Sequence, residues 1–373
     1  PFQLQGRLRL ERVALGVEPR SAALKAWLAR WPEIEARFGW GLREGGWEFR
    51  GETRLGDGKG RIAAQPTFEL TRTDAGWQGD IRQLRAEDVL VWATPWLDEP
   101  ARGWLVPLDL RGELPEIGFR AGPDGADYAA TLQLRGVAFR PIRGLPGFDD
   151  LTGTLEFGPD RGRIELDSHR VRVDTGGLLR APITLDTLSG AVDWRRSATG
   201  LELTSSDLAL ANADLNGRFQ ARVTVPDAGE PLLDVQGHYW DVRGDHARRY
   251  LPVAVIPPEA VAWLDRALVG GRVVAGDVVF RGPPARFPFD GGEGLFETRF
   301  RVENAVVDYM PGWPRLEQGR ATVTFRNRGL RVEAESGRLL DGELESLSAR
   351  IDDLEKVVVQ VKGRAKGAGA SMW

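Results

Sequence analysis

Cysteine is absent from the 373-residue chain, which excludes disulfides, thiolate metal sites and cysteine nucleophiles and leaves the redox compartment open. Lysine is scarce, so the 50 basic residues are nearly all arginine. A GC-rich genome explains that bias more simply than phosphate recognition does. No apolar run reaches the roughly 18 residues needed to cross a bilayer, and no signal peptide is legible. The chain opens on Pro1 instead of methionine and closes on Ser371-Met372-Trp373, just after a strand-like stretch. It reads as an internal piece of a longer protein, whose targeting signals would lie elsewhere. Charged residues make up 28% and the net charge is −4, which argues against disorder and against a nucleic-acid partner. Flexible linkers are missing too, so residues 1–373 read as one continuous body with stretches 1–127, 128–244 and 245–373.

What the chain has in abundance is alternation. Phe219-Gln220-Ala221-Arg222-Val223-Thr224-Val225 and Ala321-Thr322-Val323-Thr324-Phe325 each place apolar residues at every second position. Strand side chains point to opposite faces with period two, so each run is a ribbon with one apolar and one wet face. About two dozen such ribbons are legible, against two helices. The first strand has Phe2, Leu4, Leu8 and Leu10 on one face. A helix over 21–31 follows, with Ser21 as N-cap and Leu24, Trp27, Leu28 and Trp31 at helical spacing. Strands are expected around 47–49 and 68–70, and residues 88–110 read as irregular or partly helical. The thirteen tryptophans suit amphipathic surfaces, where one end of the ring is dry and the other wet.

From Tyr128 onward a unit repeats. Leu151-Thr-Gly153-Thr-Leu155-Glu-Phe157 matches Leu188-Ser-Gly190-Ala-Val192-Asp-Trp194, and each continues through a polar loop and a glycine (Gly162, Gly200) into a returning strand. A third copy runs from Ala321 through Phe325 to Gly329, Leu330 and Val332. Hairpin units that cannot bury their own face imply a stacked, quasi-one-dimensional architecture. The second helix, over 258–269, opens on Pro257-Pro258, carries Glu259 in its first turn and is expected to stop at Gly270-Gly271. Its stripe is Val261, Leu264 and Leu268. Strands over 274–280, 296–302, 305–309 and 357–361 follow.

Nothing here forms a catalytic constellation. His169, His238 and His246 lack metal-ligand spacing among themselves. Gly56-Asp57-Gly58-Lys59-Gly60 lacks the Ser/Thr and the strand-to-helix setting of a phosphate loop and reads as a hairpin turn. Arg243-Gly244-Asp245 spells an adhesion tripeptide, a match common by chance. The pairs Asp149-Asp150 and Asp352-Asp353 sit beside turns, where solvated acids are the simpler reading. No enzyme, cofactor or metal is therefore expected.

Periodicity leaves two architectures open. One is a β-sandwich whose apolar faces bury each other. The other is a mostly β chain folded as an elongated, curled antiparallel sheet whose apolar faces line a groove. At roughly 4.8 Å per strand such a groove would be on the order of 100 Å long. Its expected lining is Leu155, Phe157, Val192, Trp194, Leu201, Leu203, Phe219, Ala221, Val223, Val278, Phe280, Phe296, Phe300, Val323, Phe325, Leu330 and Val332. Val261, Leu264 and Leu268 form a candidate plug. A surface of that kind is tolerable when it carries an apolar ligand. Acyl chains fit, held by burial at about 0.8 kcal/mol per methylene.

At Tyr250-Leu251-Pro252, Trp263-Leu264, Gly270-Gly271, Gly282, Phe287-Pro288-Phe289, Tyr309 and Gly312-Trp313-Pro314 the chain resembles the AsmA-like superfamily, specifically the large YhdP-type proteins of Gram-negative bacteria. The likeness is most specific over 245–330, looser over 130–225 and weak over 1–125. The resemblance implies a periplasmic β-groove anchored in the inner membrane by an N-terminal helix that this chain lacks. It also implies conduction of phospholipid towards the outer membrane, in the manner of bridge-like lipid-transfer proteins, with phospholipid acyl chains as ligand and outer-membrane components as candidate partners. A structural or assembly scaffold of the envelope, its groove filled by its own helices or by a partner protein, is the alternative.

Overall fold

A computed structural model of the chain describes residues 3–11, 30–57, 59, 61–93, 102–103, 105–142, 145–356 and 358–367. The strands form an open antiparallel sheet of 20, not closed into a barrel and not stacked as a sandwich. The chain divides into two compact units, 1–171 and 172–373, each taken by itself below. Among the described residues, no helix is long and apolar enough to cross a membrane.

The first unit holds β1 (Gln3–Glu11), β2 (Glu33–Arg43), β3 (Gly46–Gly56), β4 (Ile62–Ala64), β5 (Thr67–Thr73), β6 (Gly76–Arg85), β7 (Arg111–Ala121), β8 (Tyr128–Phe139) and β9 (Gly147–Phe157). Strand β10 (Arg161–Asp174) runs across the division. Each strand through β9 pairs antiparallel with the next, except that β3 pairs with both the short β4 and β5. Of the Gly56–Gly60 stretch, Gly58 and Gly60 lie outside the described residues; Asp57 Oδ1 accepts the backbone N–H of Lys59 (2.8 Å) and Arg61 (3.3 Å), a side-chain turn of the kind aspartate favours. Most of the helix expected over 21–31 lies outside the described residues. The irregular region of 88–110 is overlapped at its start by α1 (Ala86–Ala93) and contains a 3-10 turn at Val106–Leu108.

The second unit holds β11 (Ile183–Ser197), β12 (Gly200–Ala211), β13 (Asn216–Pro226), β14 (Leu232–Arg243), β15 (Leu268–Gly282), β16 (Leu295–Val307), β17 (Leu316–Arg326), β18 (Gly329–Leu339), β19 (Gly342–Ile351) and β20 (Val359–Lys366). Consecutive strands again pair antiparallel. The second helix, α2, is Pro258–Ala267, shorter than expected. Leu268 and Val269 open β15, and Gly270-Gly271 lies inside that strand, where the register shifts against β16. The glycines therefore serve a bulge and not a helix stop. Likewise 296–302 and 305–309 are not two strands. Through Val307 they form β16, broken by a shift at Asn304, whose φ is +52°. Tyr309 falls beyond the strand end, and Val357 lies outside the described residues.

Candidate functional site

Residues directly opposite in an antiparallel ladder share a face, so the registers say which side chains form a surface. In the first unit one rung runs Leu4, Trp40, Phe49, Leu70, Gly79, Phe119, Ala130, Phe157. The next runs Phe68, Ile81, Ile117, Leu132, Leu155. In the second unit, Trp194, Leu203, Val223 and Leu233 lie side by side, as do Ala221, Val235, Phe280 and Phe296. A third rung, Phe300, Val323, Val332, Ala349 and Val361, continues to the β20 edge. Phe219, Gly237, Val278, Thr298, Phe325 and Leu330 make a fourth. Leu201 pairs with Val225 two positions from Leu203, and Val192 shares Trp194's parity beside a register shift.

Every residue expected to line a groove is thus on the apolar face of its unit. None is fully buried; all are half-buried. A sandwich would bury these apolar faces against a second sheet, whereas the strands here belong to one open sheet, and the opposite faces are charged. On the second unit's polar face Arg222, Asp234 and Arg281 are neighbours, and Arg218, His238, Asp277 and Arg299 form the next row. Arg281 Nε donates to Asp234 at 3.1 Å, and His238 Nδ1 lies 2.8 Å from Asp277. Exposed pairs of this kind contribute little stability and keep that face wet.

Bulges maintain the apolar face. Between Ser205 and Leu208 strand β12 carries one residue more than β13, which returns Leu208 and Leu210 to the side occupied by Ser205. Strand β15 does the same between Gly276 and Val273, and β16 between Val302 and Ala305. Several buried apolar residues, among them Leu185, Leu188, Ala305 and Leu344, lie beyond such shifts, near one end of the strands.

Glycines on this face, which a hydrophobicity pattern reads as gaps, seat rings from neighbouring strands. A Cβ on Gly79 would lie 2.3 Å from the Phe119 ring, and one on Gly237 would lie 2.3 Å from the Phe219 ring.

Parts of the chain fold over or brace the ends of the second unit. The loop between β15 and β16 brings Phe287 and the buried Phe289 onto Phe280 and Phe296, with ring centroids 5.4–6.3 Å apart. Ion pairs brace it on both sides, Arg286 to Glu230 at 3.0 Å and Arg328 to Asp290 at 2.5 Å. At the opposite strand ends, α2 is tied down by Arg180–Asp265 at 2.6 Å and by Trp263 Nε1 donating to the Tyr309 carbonyl at 3.1 Å. Val261 and Leu264 of the candidate plug are half-buried on this helix, whereas Leu268 belongs to β15.

The connection into α2 is anchored by a buried carboxylate that sequence reading missed, because its partners are 32 to 36 residues away. Asp214 is 5% exposed. It accepts from Arg249 (2.9 Å) and the Tyr250 hydroxyl (3.0 Å) and shares a 2.5 Å hydrogen bond with His246 Nδ1. Burial pushes its carboxyl up, but hydrogen bonds from His246, Tyr250 and Arg249 outweigh it and hold the group below the usual aspartate range. A depressed folded-state pKa stabilises above the unfolded value and loses that stabilisation as pH falls through the folded one. Asp214→Ala is expected to cost about 2 kcal/mol at neutral pH. Acid denaturation followed by circular dichroism should show less loss of stability below about pH 4 for Asp214→Asn than for the parent.

The family model described as YhdP protein matches residues 9–373. The chain is 25% identical over 236 residues to the Intermembrane phospholipid transporter YhdP of Escherichia coli (strain K12), a match covering 63% of this chain and 19% of that protein. The match thus spans under a quarter of the length of that relative. No solved structure matches it.

Proposed function

This chain belongs to the YhdP protein family, and from that premise we propose that it binds and conducts phospholipid, non-enzymatically, with acyl chains lying along the apolar face of its sheet. The reading extends to a periplasmic segment of a transport bridge between inner and outer membranes, the inner membrane being reached through a helix outside this chain. The observation that carries it is the in-register apolar face, half-buried from Trp194 to Ala349 and exposed at Val361 on the β20 edge. Half-exposed valine and phenylalanine over so many strands is costly in water and is relieved by an apolar ligand. Acyl chains suit a surface whose strand centres are mostly apolar, since their binding requires burial and little directionality.

The packing of Phe287 and Phe289 over Phe280 and Phe296 favours a second reading, an envelope scaffold whose apolar face is filled by its own segments. Parity separates the two. A photo-crosslinking residue at Leu203 or Val323 is expected to capture phospholipid during expression, and one at Glu202 or Thr324 is not. Equal capture at both parities would reject a one-sided apolar face, and no capture at any of the four would favour the scaffold.

A further inference from the structure

The rung nearest the hairpin turns of the first unit differs from the others. It runs Leu42, Trp47, Arg72, Trp77, Ala121, Tyr128, so a guanidinium stands on the apolar face between two tryptophans. Arg72 is half-buried, and its guanidinium carbon lies 5.1 Å from the centroid of the Trp77 ring. Trp47 meets Trp77 edge-on at 5.7 Å. Arg72 donates to the carbonyls of Thr73 and Pro123. Among the described residues no carboxylate is paired with it. Two of its five N–H donors are thereby engaged, and the remainder keep a full positive charge to satisfy. In the second unit Arg196 occupies a comparable rim position on the apolar face, opposite Leu201, but Asp227 neutralises it at 2.6 Å.

A cation beside aromatic rings with one dry and one wet side is what the boundary between acyl chain and headgroup requires. We propose that Arg72, framed by Trp47 and Trp77, binds the phosphate of an anionic amphiphile whose acyl chains lie on the adjoining Phe49, Leu70 and Phe119 rung. This rests on the lipid-binding reading above and adds an orientation to it: headgroups at the turn end of β5 and β6, chains towards the strand centres. Guanidinium suits the role because it offers several donors in one plane to phosphate oxygens.

The test is native mass spectrometry of the 373-residue chain with dioleoylphosphatidylglycerol or dioleoylglycerol, which share acyl chains and differ in the phosphate. Arg72→Gln is expected to lower phosphatidylglycerol occupancy about tenfold, the scale of one charge-assisted hydrogen bond, with dioleoylglycerol occupancy unchanged. Arg72→Lys, which keeps the charge, should recover part of the loss and guards against a folding artefact in the glutamine variant. Equal loss of both lipids, or loss of neither, overturns the headgroup assignment and leaves lipid binding standing. Displacement of phosphatidylglycerol by inorganic phosphate at equal concentration would assign the site to free phosphate and overturn it too. A parent chain that takes up neither lipid would overturn both readings.

Discussion

Val323→Asp is expected to leave the chain folded and to break lipid occupancy around β17. Val323 is half-buried, paired across the sheet with Phe300 and Val332 and two positions from Phe325, whose ring stacks on Phe300 with centroids 6.4 Å apart. On an open face the new carboxylate keeps part of its water, so the cost to folding is the lost apolar burial, about 1–2 kcal/mol. The same carboxylate in a closed core would be stranded without a partner and cost several kcal/mol. Lipid fares worse than the fold. Lifting about two methylenes off the surface removes about 0.8 kcal/mol each, which lowers local occupancy roughly tenfold before the charge itself is considered. Photo-crosslinking at Val332 in the Val323→Asp background should therefore fall about tenfold, capture at Leu203 should persist, and the melting temperature should shift by only a few degrees. Gross unfolding would mean that something covers Val323. Unchanged capture at Val332 would mean that lipid does not lie on this face.

Gly190→Ala should be the most destabilising single-methyl change in the repeat. Gly190 has φ +131°, a conformation that side chains other than hydrogen rarely adopt, and a Cβ there would lie 2.2 Å from the carbonyl oxygen of Asp207. Both the strained dihedral and the backbone collision must be relieved by parting β11 from β12, at about 3 kcal/mol. In the repeat its counterpart is Gly153, where a Cβ would lie 2.0 Å from the Glu165 carbonyl oxygen. The third copy has Ala321 there, paired with Ala334, so Ala321→Gly should cost less than about 1 kcal/mol. Urea unfolding of the two variants measures the contrast. A Gly190→Ala variant as stable as the parent would show that β11 and β12 can part at this point without penalty.

The Gly153/Gly190 pair illustrates how far sequence reading reaches. Alternation such as Phe219 to Val225 determined that the chain is mostly strand, which residues share a face, and that the opposite face is too charged to bury, because side-chain parity is a local property of extended backbone. Hence Leu203, Val223, Val323 and Val332 could be grouped before any contact was known. Local pattern also located α2, whose proline start is a short-range signal. Its end was misread because Gly270-Gly271 satisfies two local rules at once, helix stop and strand bulge, and only pairing with β16 selects the second. Periodicity also left sandwich and open sheet equally possible, since both present one apolar face per strand. The tertiary structure decided between them through which strand pairs with which. It also decided where an extra residue resets the phase, as at Asn304, and which distant partners meet, as when Asp214 gathers His246, Arg249 and Tyr250. Those are long-range events, set by register and chain closure, and no window of neighbouring residues encodes them.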